Sequence, residues 1–279
     1  DPGFSYVTTV KRDQVSNSSA AYIAFGIRFA FESNGEAFLG DVYEGGPAWA
    51  AGLRRGLQVI EIDTGLGFES WSELLARGAT DAEVFGLAEL GVKRGFKLLD
   101  RFGTTLEVIL TKDQIYPPAI AGEATLIPRE GLTSVGYLNL RGFTLSAIQP
   151  LRDSSLFFQR ENVSDFIIDL RYNGGGLLSV ADLFLDLLGG QVAHGRRSFY
   201  LMHNEQHSYL DDDNEAFFRH LPESVEPNRI AFITSGSTAS ASELIINSLA
   251  PHVEVVLIGS DTAGKAVGQY AFEQEGCDK

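Results

Sequence analysis

The sequence predicts an α/β protein in two parts: a β-rich block over residues 21–112, then a core over residues 113–279 built on a mostly parallel sheet. Three observations predict this. Short strand-like runs punctuated by Gly and Pro fill the first block. Beyond it, strands alternate with helices, which calls for crossover connections and therefore parallel neighbours. Between the two, Asp113–Thr125 (DQIYPPAIAGEAT) carries Pro117-Pro118, a pair suited to neither a helix interior nor a central strand, so it reads as a linker. A chain of 279 residues also matches about two domains by size.

The elements follow in order. Residues 1–20, ending in the polar Asn17-Ser18-Ser19-Ala20, form a lead-in segment. Ala21–Phe31 reads as one strand and the alternating Glu36–Tyr43 as a second. Pro47–Leu53 reads as a short helix, with Pro in its first turn and Gly52 at its end. Gln58–Asp63 is a strand, Trp71–Arg77 a helix and Thr104–Thr111 a closing strand. Trp49 and Trp71 are packing residues of this block. In the second part Ser134–Leu140, Asp165–Leu170, Arg229–Thr234 and Val253–Gly259 are strands. Gln149–Arg160, Leu177–Leu188 and Ala241–Ala250 are helices.

Composition narrows the function classes. Lys and Arg number 22 against 37 Asp and Glu, a formal charge of −15. That argues against nucleic acid, whose binders carry a basic stripe to neutralise phosphates, and against docking on an anionic bilayer. The single Cys277 excludes an internal disulfide and a cysteine zinc site. No apolar run reaches the roughly 18 residues of an integral membrane segment. The opening DPGFSYVTTV has neither an initiator Met nor a signal-peptide pattern, as in a mature or shortened chain.

In parallel sheets ligands sit at the carboxyl ends of the strands, so three loops draw attention. The first is Asp169–Gly176 (DLRYNGGG), where three glycines let backbone N–H groups face a bound oxygen. A dinucleotide fingerprint fails there on spacing, because Ser179 falls at its third glycine; a plain tight turn is the bland alternative. The second is Ser237–Glu243 (STASASE), entering a helix. A nucleophilic Ser240 there would have the Ala241 N–H free for an oxyanion; the competing reading is a capping box, Ser240-x-x-Glu243. The third is Gly259–Ala266 (GSDTAGKA), which matches a phosphate-binding loop except that Ala266 replaces its Ser or Thr and strand-like residues follow. None of the five histidines lies in these loops. Lys265 is the alternative base, provided burial keeps it neutral, and Gln269 is an uncharged neighbour able to orient it.

These residues resemble the C-terminal processing peptidases, or tail-specific proteases. Thr238-Ala239-Ser240-Ala241-Ser242-Glu243, Gly264-Lys265 and Asp169-Leu170-Arg171…Asn173-x-Gly175-Gly176 stand in the family's order. The spacings agree too: Lys265 follows Ser240 by 25 residues and Gln269 follows Lys265 by four. The resemblance implies a crotonase-like serine protease core. Ser240 would be its nucleophile, Lys265 its general base, Gln269 the third member, and the Ala241 and Gly175 N–H groups its oxyanion hole. It implies no metal and no cofactor, polypeptide substrates with accessible C-termini, and a periplasmic or extracellular location.

The family also carries a PDZ-like peptide-binding domain ahead of its core. Gly45-Gly46-Pro47-Ala48-x-x-Ala51-Gly52-Leu53 resembles that domain's turn and helix. Phe25-Gly26-Ile27 then matches its carboxylate-binding loop by order, and a substrate tail would add as a strand beside Gly26–Phe29. Gly65-Leu66-Gly67-Phe68 spells the loop found in animal PDZ domains but follows the wrong strand. Gly56-Leu57 replaces the usual Gly-Asp, and Gly86–Gly103 is longer than expected. Family cores continue with further strands after the Lys/Gln segment, whereas this chain has ten residues beyond Gln269.

Other constellations are weaker. His203-x-x-x-His207 has Glu205 at the wrong offset for a zinc helix, and Asp211–Asp213 reads as a solvated acidic run. Two further functions compete with a working protease: a catalytically inactive or latent peptide-binding scaffold of the same fold, and a crotonase-like acyl-transfer enzyme. The latter would need a basic acyl-CoA site, and no basic cluster fits one.

Overall fold

The computed structural model describes residues 21–203, 205–210 and 214–269. The lead-in 1–20, Asp211–Asp213 and Cys277 lie outside the described residues. The chain packs as two compact units, one spanning Ala20–Pro117 and one running from Pro118 onward.

The first unit contains β1 (Tyr22–Ala24), β2 (Ile27–Phe31), β3 (Ala37–Val42), α1 (Pro47–Ala50), β4 (Gln58–Asp63) and β5 (Phe68–Ser70). α2 (Trp71–Ala76), α3 (Asp81–Phe85), β6 (Lys93–Leu99), β7 (Thr105–Thr111) and β8 (Asp113–Ile115) complete it. Its six-stranded antiparallel sheet runs β2-β3-β4-β6-β7, with β5 on β4, so β2 forms one edge. β1 pairs instead with β8. The strand expected over Ala21–Phe31 is therefore two strands in different sheets. The break falls at Gly26, whose φ of +78° few L side chains adopt, and whose missing Cβ leaves room for Gly46 Cα at 3.2 Å. Asp113–Ile115, read from sequence as connection, is β8.

Besides β8, three elements of this unit, β5, α3 and β6, escaped the sequence reading. α3 starts at Thr80, where Thr80 Oγ1 and Glu83 form a reciprocal capping box of the same T/S-x-x-E kind that starts α2 at Ser70. β6 alternates exposed or half-buried Lys93 and Lys97 with fully buried Phe96 and Leu98, a period of two obscured by Arg94 and Gly95.

The second unit contains β9 (Thr125–Arg129), β10 (Leu132–Asn139), α4 (Ile148–Arg160), β11 (Asp165–Asp169) and α5 (Leu178–Gly189). The antiparallel pair β12 (Arg197–Tyr200) and β13 (Glu215–Phe217), absent from the sequence reading, comes next. β14 (Arg229–Thr234), α6 (Ala241–Leu249) and β15 (Glu254–Gly259) follow. The five-stranded sheet runs β15-β14-β11-β10-β9, parallel throughout except for β9. The unit is thus mixed α/β with a mostly parallel sheet.

Register positions the loops. Asp169 of β11 is level with Ile233 of β14, and Thr234 is level with Gly259 of β15. All three candidate loops leave the sheet at the carboxyl ends of its parallel strands. Phe166, Ile168, Ile230 and Phe232 anchor these strands, each 1% exposed or less. Burial of such a side chain contributes about 1.5–3 kcal/mol, more than a typical helix cap, so core packing sets the level at which the loops emerge.

Candidate active site

The first loop is held by Asp169, which is 1% exposed. Its carboxylate accepts from Arg171 Nε (2.9 Å), Tyr137 Oη (2.9 Å) and Asn139 Nδ2 (3.3 Å). Burial pushes this carboxyl up, but the Arg171 guanidinium and the other donors outweigh it and hold it below the usual aspartate range. Arg171 is thereby locked in place, and its carbonyl accepts from Ser235 Oγ, just ahead of the second loop. Asn173, fully buried, continues the lacing: its carbonyl accepts from the Ala239 N–H (3.1 Å) and from Ser242 Oγ (2.9 Å). Thr238 Oγ1 donates to the Leu170 carbonyl at 2.7 Å. The glycine loop and the serine loop are thus joined at three points, with a fourth bond from Ser235.

Ser240 sits between them with an unusual backbone. Its φ of 58° and ψ of −116° make it, with Asn162, one of two non-glycine residues at positive φ among the described residues. Such a conformation costs about 1–3 kcal/mol and survives only where the surroundings enforce it. Ser70 and Thr80, which cap α2 and α3, have the extended backbone of ordinary caps. Glu243 does return to the Ser240 N–H at 2.7 Å, as the capping-box reading expects, but Ser240 lacks the extended backbone of the other two caps. Ala241 opens α6, so its N–H lacks an intrahelical acceptor. Gly175 packs directly on this corner. A Cβ on Gly175 would lie 2.8 Å from Ser240 Cβ and 3.0 Å from the Ala241 nitrogen, and its φ is +102°. The Gly175 N–H donates to Asn173 Oδ1 at 2.9 Å.

The third loop is clasped to the second by Glu243. One carboxylate oxygen accepts from Thr262 Oγ1 (2.7 Å) and the Gly264 N–H (2.7 Å); the other accepts from the N–H groups of Ser240 (2.7 Å) and Lys265 (2.9 Å). The Ala263 N–H also donates to the Thr238 carbonyl at 2.9 Å. Lys265 Nζ donates to Gln269 Oε1 at 2.6 Å, joining the two residues that sequence spacing paired. Sequence reading saw Glu243 only as a cap. Its other partners lie 19–22 residues on, and no local pattern reveals them.

Burial pushes the Glu243 carboxyl up, yet the hydrogen bonds from Thr262, Ser240, Gly264 and Lys265 together hold it below the usual glutamate range. The folded carboxyl is the stronger acid, so the clasp gives its full stability above the unfolded value of about 4.3. It loses that stability as pH falls through the lowered folded value. Urea unfolding is expected to show stability falling with pH below about 4.3 less steeply in Glu243→Gln than in the native chain. Equal slopes would count against the clasp.

The residues singled out in the first unit also have defined surroundings. The Phe25 carbonyl accepts from the Ala48 N–H (3.0 Å) and the Gly26 carbonyl from the Tyr43 N–H (2.9 Å). Trans peptide planes set each N–H opposite its preceding carbonyl, so the Gly26 N–H faces away from Ala48 and the Ile27 N–H away from Tyr43. Phe25 and Ile27 are buried. At Gly65-Leu66-Gly67-Phe68 the Gly65 and Gly67 N–H groups both donate to Asp63 Oδ1, at 2.8 and 3.0 Å, so that loop's donors are already used. His203 and His207 join no group of three or more metal-ligating side chains among the described residues. No helix among the described residues is long and apolar enough to cross a membrane. The lysine loop lacks the helix that a phosphate-binding loop needs behind it, since residues 260–269 form no helix.

The family model for peptidase family S41 matches residues 134–277, just over half of the chain and a stretch containing all three loops. The chain belongs to peptidase family S41. A carboxy-terminal-processing protease of Bartonella bacilliformis is 26% identical to this S41 chain over 276 residues, covering 95% of it and 57% of the relative. A carboxyl-terminal-processing protease of Picosynechococcus is 26% identical over 237 residues, covering 82% and 50%. The chain spans about half the length of the curated relatives it matches. An S41-type protein of Bacteroides fragilis NCTC 9343 superposes with a TM-score of 0.70 at 21% identity, over 95% of this chain and 72% of that one. A photosystem II D1 C-terminal processing protease superposes with a TM-score of 0.50 at 17% identity, over 92% and 64%. Both structural likenesses speak to the fold.

Proposed function

We propose that this S41 chain is a serine endopeptidase that cleaves polypeptides near an unstructured C-terminus. Neutral Lys265, oriented by Gln269, takes the proton from Ser240 Oγ as that oxygen bonds to the substrate carbonyl carbon. The carbonyl oxygen becomes an oxyanion facing the Ala241 and Gly175 N–H groups. Collapse breaks the C–N bond, the lysine proton passes to the leaving amine, and water then releases the acyl group from Ser240. The core would be of the crotonase-like kind. The first unit would act as the PDZ-like module that takes the substrate tail at Phe25-Gly26-Ile27, along the open edge of β2. The relatives named as carboxyl-terminal-processing proteases support this reading, under which the protein would work in the periplasm or outside the cell.

The observation that carries the proposal is the four-donor clasp at Glu243, which ties the strained Ser240 to the loop bearing Lys265. A folded reporter with an unstructured C-terminal tail is expected to be truncated within that tail, while the same segment at the reporter's N-terminus stays intact. Cleavage of neither, or of both equally, would contradict the proposal.

One observation favours the second reading, a latent form of the same fold. The Gly175 N–H already donates to Asn173 Oδ1, and that bond must break before this N–H can hold an oxyanion. A latent protein would bind tails without turnover, even at high protein concentration.

A further inference from the structure

Lys112 is 7% exposed, and its charge has no carboxylate partner among the described residues. Its ammonium donates to the carbonyls of Gly86 (2.8 Å) and Leu87 (2.9 Å), just past the end of α3. An ammonium carries three N–H donors, and these carbonyls use two. Nζ also lies 5.2 Å from the centroid of the Phe25 ring. The backbone explains the placement. β1 and β8 pair Ala24 with Asp113, and one further step of that antiparallel register sets Lys112 opposite Phe25. A second cation converges on the same spot: Arg94 donates to the Val84 carbonyl at 2.8 Å and to that of Glu83 at 3.2 Å. Neither cation pairs with a carboxylate among the described residues. Burial lowers the lysine's proton affinity, and Arg94 lowers it further, so a fixed anion nearby would relieve both.

We infer that Lys112 is the charge that makes the Phe25-Gly26-Ile27 turn selective for a free C-terminal carboxylate over an internal or capped peptide. This rests on the reading of that turn as a tail-binding site. The Gly26 and Ile27 N–H groups, turned away from Ala48 and Tyr43, supply hydrogen bonds that any carbonyl oxygen accepts. Backbone donors alone distinguish an acid from an amide weakly, whereas a buried cation is felt strongly across a low-dielectric interior. Lys112 acts here as a specificity-determining residue under the site, with Arg94 reinforcing its field.

The test uses the full chain carrying Ser240→Ala, so that no probe is consumed. The probe is a pool of unstructured peptides randomised at the last three positions, made as the free acid and as the C-terminal amide. Retention of the acid over the amide is expected to be about tenfold or more, the scale of a hydrogen bond to a charged group. Adding Lys112→Gln is expected to bring the two close to equal, while Lys112→Arg keeps most of the preference. In the variant that retains Lys112, its 13Cε resonance is expected to shift with the acid and not with the amide, a readout that does not depend on Lys112→Gln folding. An acid preference unchanged by Lys112→Gln, or a resonance indifferent to the acid, overturns the inference and leaves the tail-binding turn standing. Equal retention of acid and amide before Lys112 is altered overturns the turn reading itself.

Discussion

Ser240→Ala is expected to reduce turnover of a tail substrate by about 10⁴-fold or more, the scale seen when a hydrolase loses its nucleophile. The fold should survive, because alanine keeps the Cβ around which the loops close. The change in unfolding free energy is expected to stay within about 1 kcal/mol. The strained backbone gives a second signature. Alanine inherits the φ of 58°, whereas glycine adopts it freely. Ser240→Gly is therefore expected to be more stable than Ser240→Ala by about 1 kcal/mol, the reverse of the usual ranking at the start of a helix. Comparable turnover in Ser240→Ala and the native chain would remove Ser240 from the chemistry. A less stable glycine variant would mean that the backbone there is relaxed.

Gly175→Ala is expected to produce the second largest loss. Its new methyl would lie 2.8 Å from Ser240 Cβ, 2.9 Å from the Ala239 carbonyl oxygen and 3.0 Å from the Ala241 nitrogen. Two of those neighbours are backbone atoms, already fixed by the bonds to Asn173 and by the start of α6. The corner must open, and the Ala241 and Gly175 N–H groups proposed as oxyanion donors move with it. The expected outcome is a fall in kcat of about 10²–10³ with little change in KM. Stability should fall by about 1–3 kcal/mol. Gly195→Ala separates the two effects. Gly195 also has positive φ, but a Cβ there meets nothing within 4 Å, so it carries the backbone penalty without the crowding. Its variant should lose stability and keep kcat. Parallel loss of kcat in both variants would show that Gly175 matters only through the fold.

Much of the second unit could be read from its residues. β11, β14 and β15 are short apolar runs followed by small or polar residues, and alternation with helices made their parallel pairing almost unavoidable. That places the three loops together at the carboxyl ends of the strands. Less of the first unit was legible. The apolar run Ala21–Phe31 does not show that the chain changes sheets at Gly26, because the partners of its two halves, β8 and β3, lie far apart in sequence. β12 and β13 are three to four residues long and pair across an intervening 3-10 turn, too short for periodicity to register. Within the site, spacing pointed to Lys265 and Gln269 as neighbours. It did not show that Glu243 accepts four hydrogen bonds, or that Asn173 occupies the Gly175 N–H. Side-chain contacts between separate loops leave no local pattern in a single sequence.

The central claim is that Ser240 is made nucleophilic by Lys265. Reaction with a serine-directed fluorophosphonate, followed by peptide mapping, tests it most directly. Labelling is expected at Ser240 within about pH 6 to 10, and abolished by Lys265→Ala. Ser240 left unlabelled while other serines react, or labelling that persists unchanged in Lys265→Ala, would contradict the account.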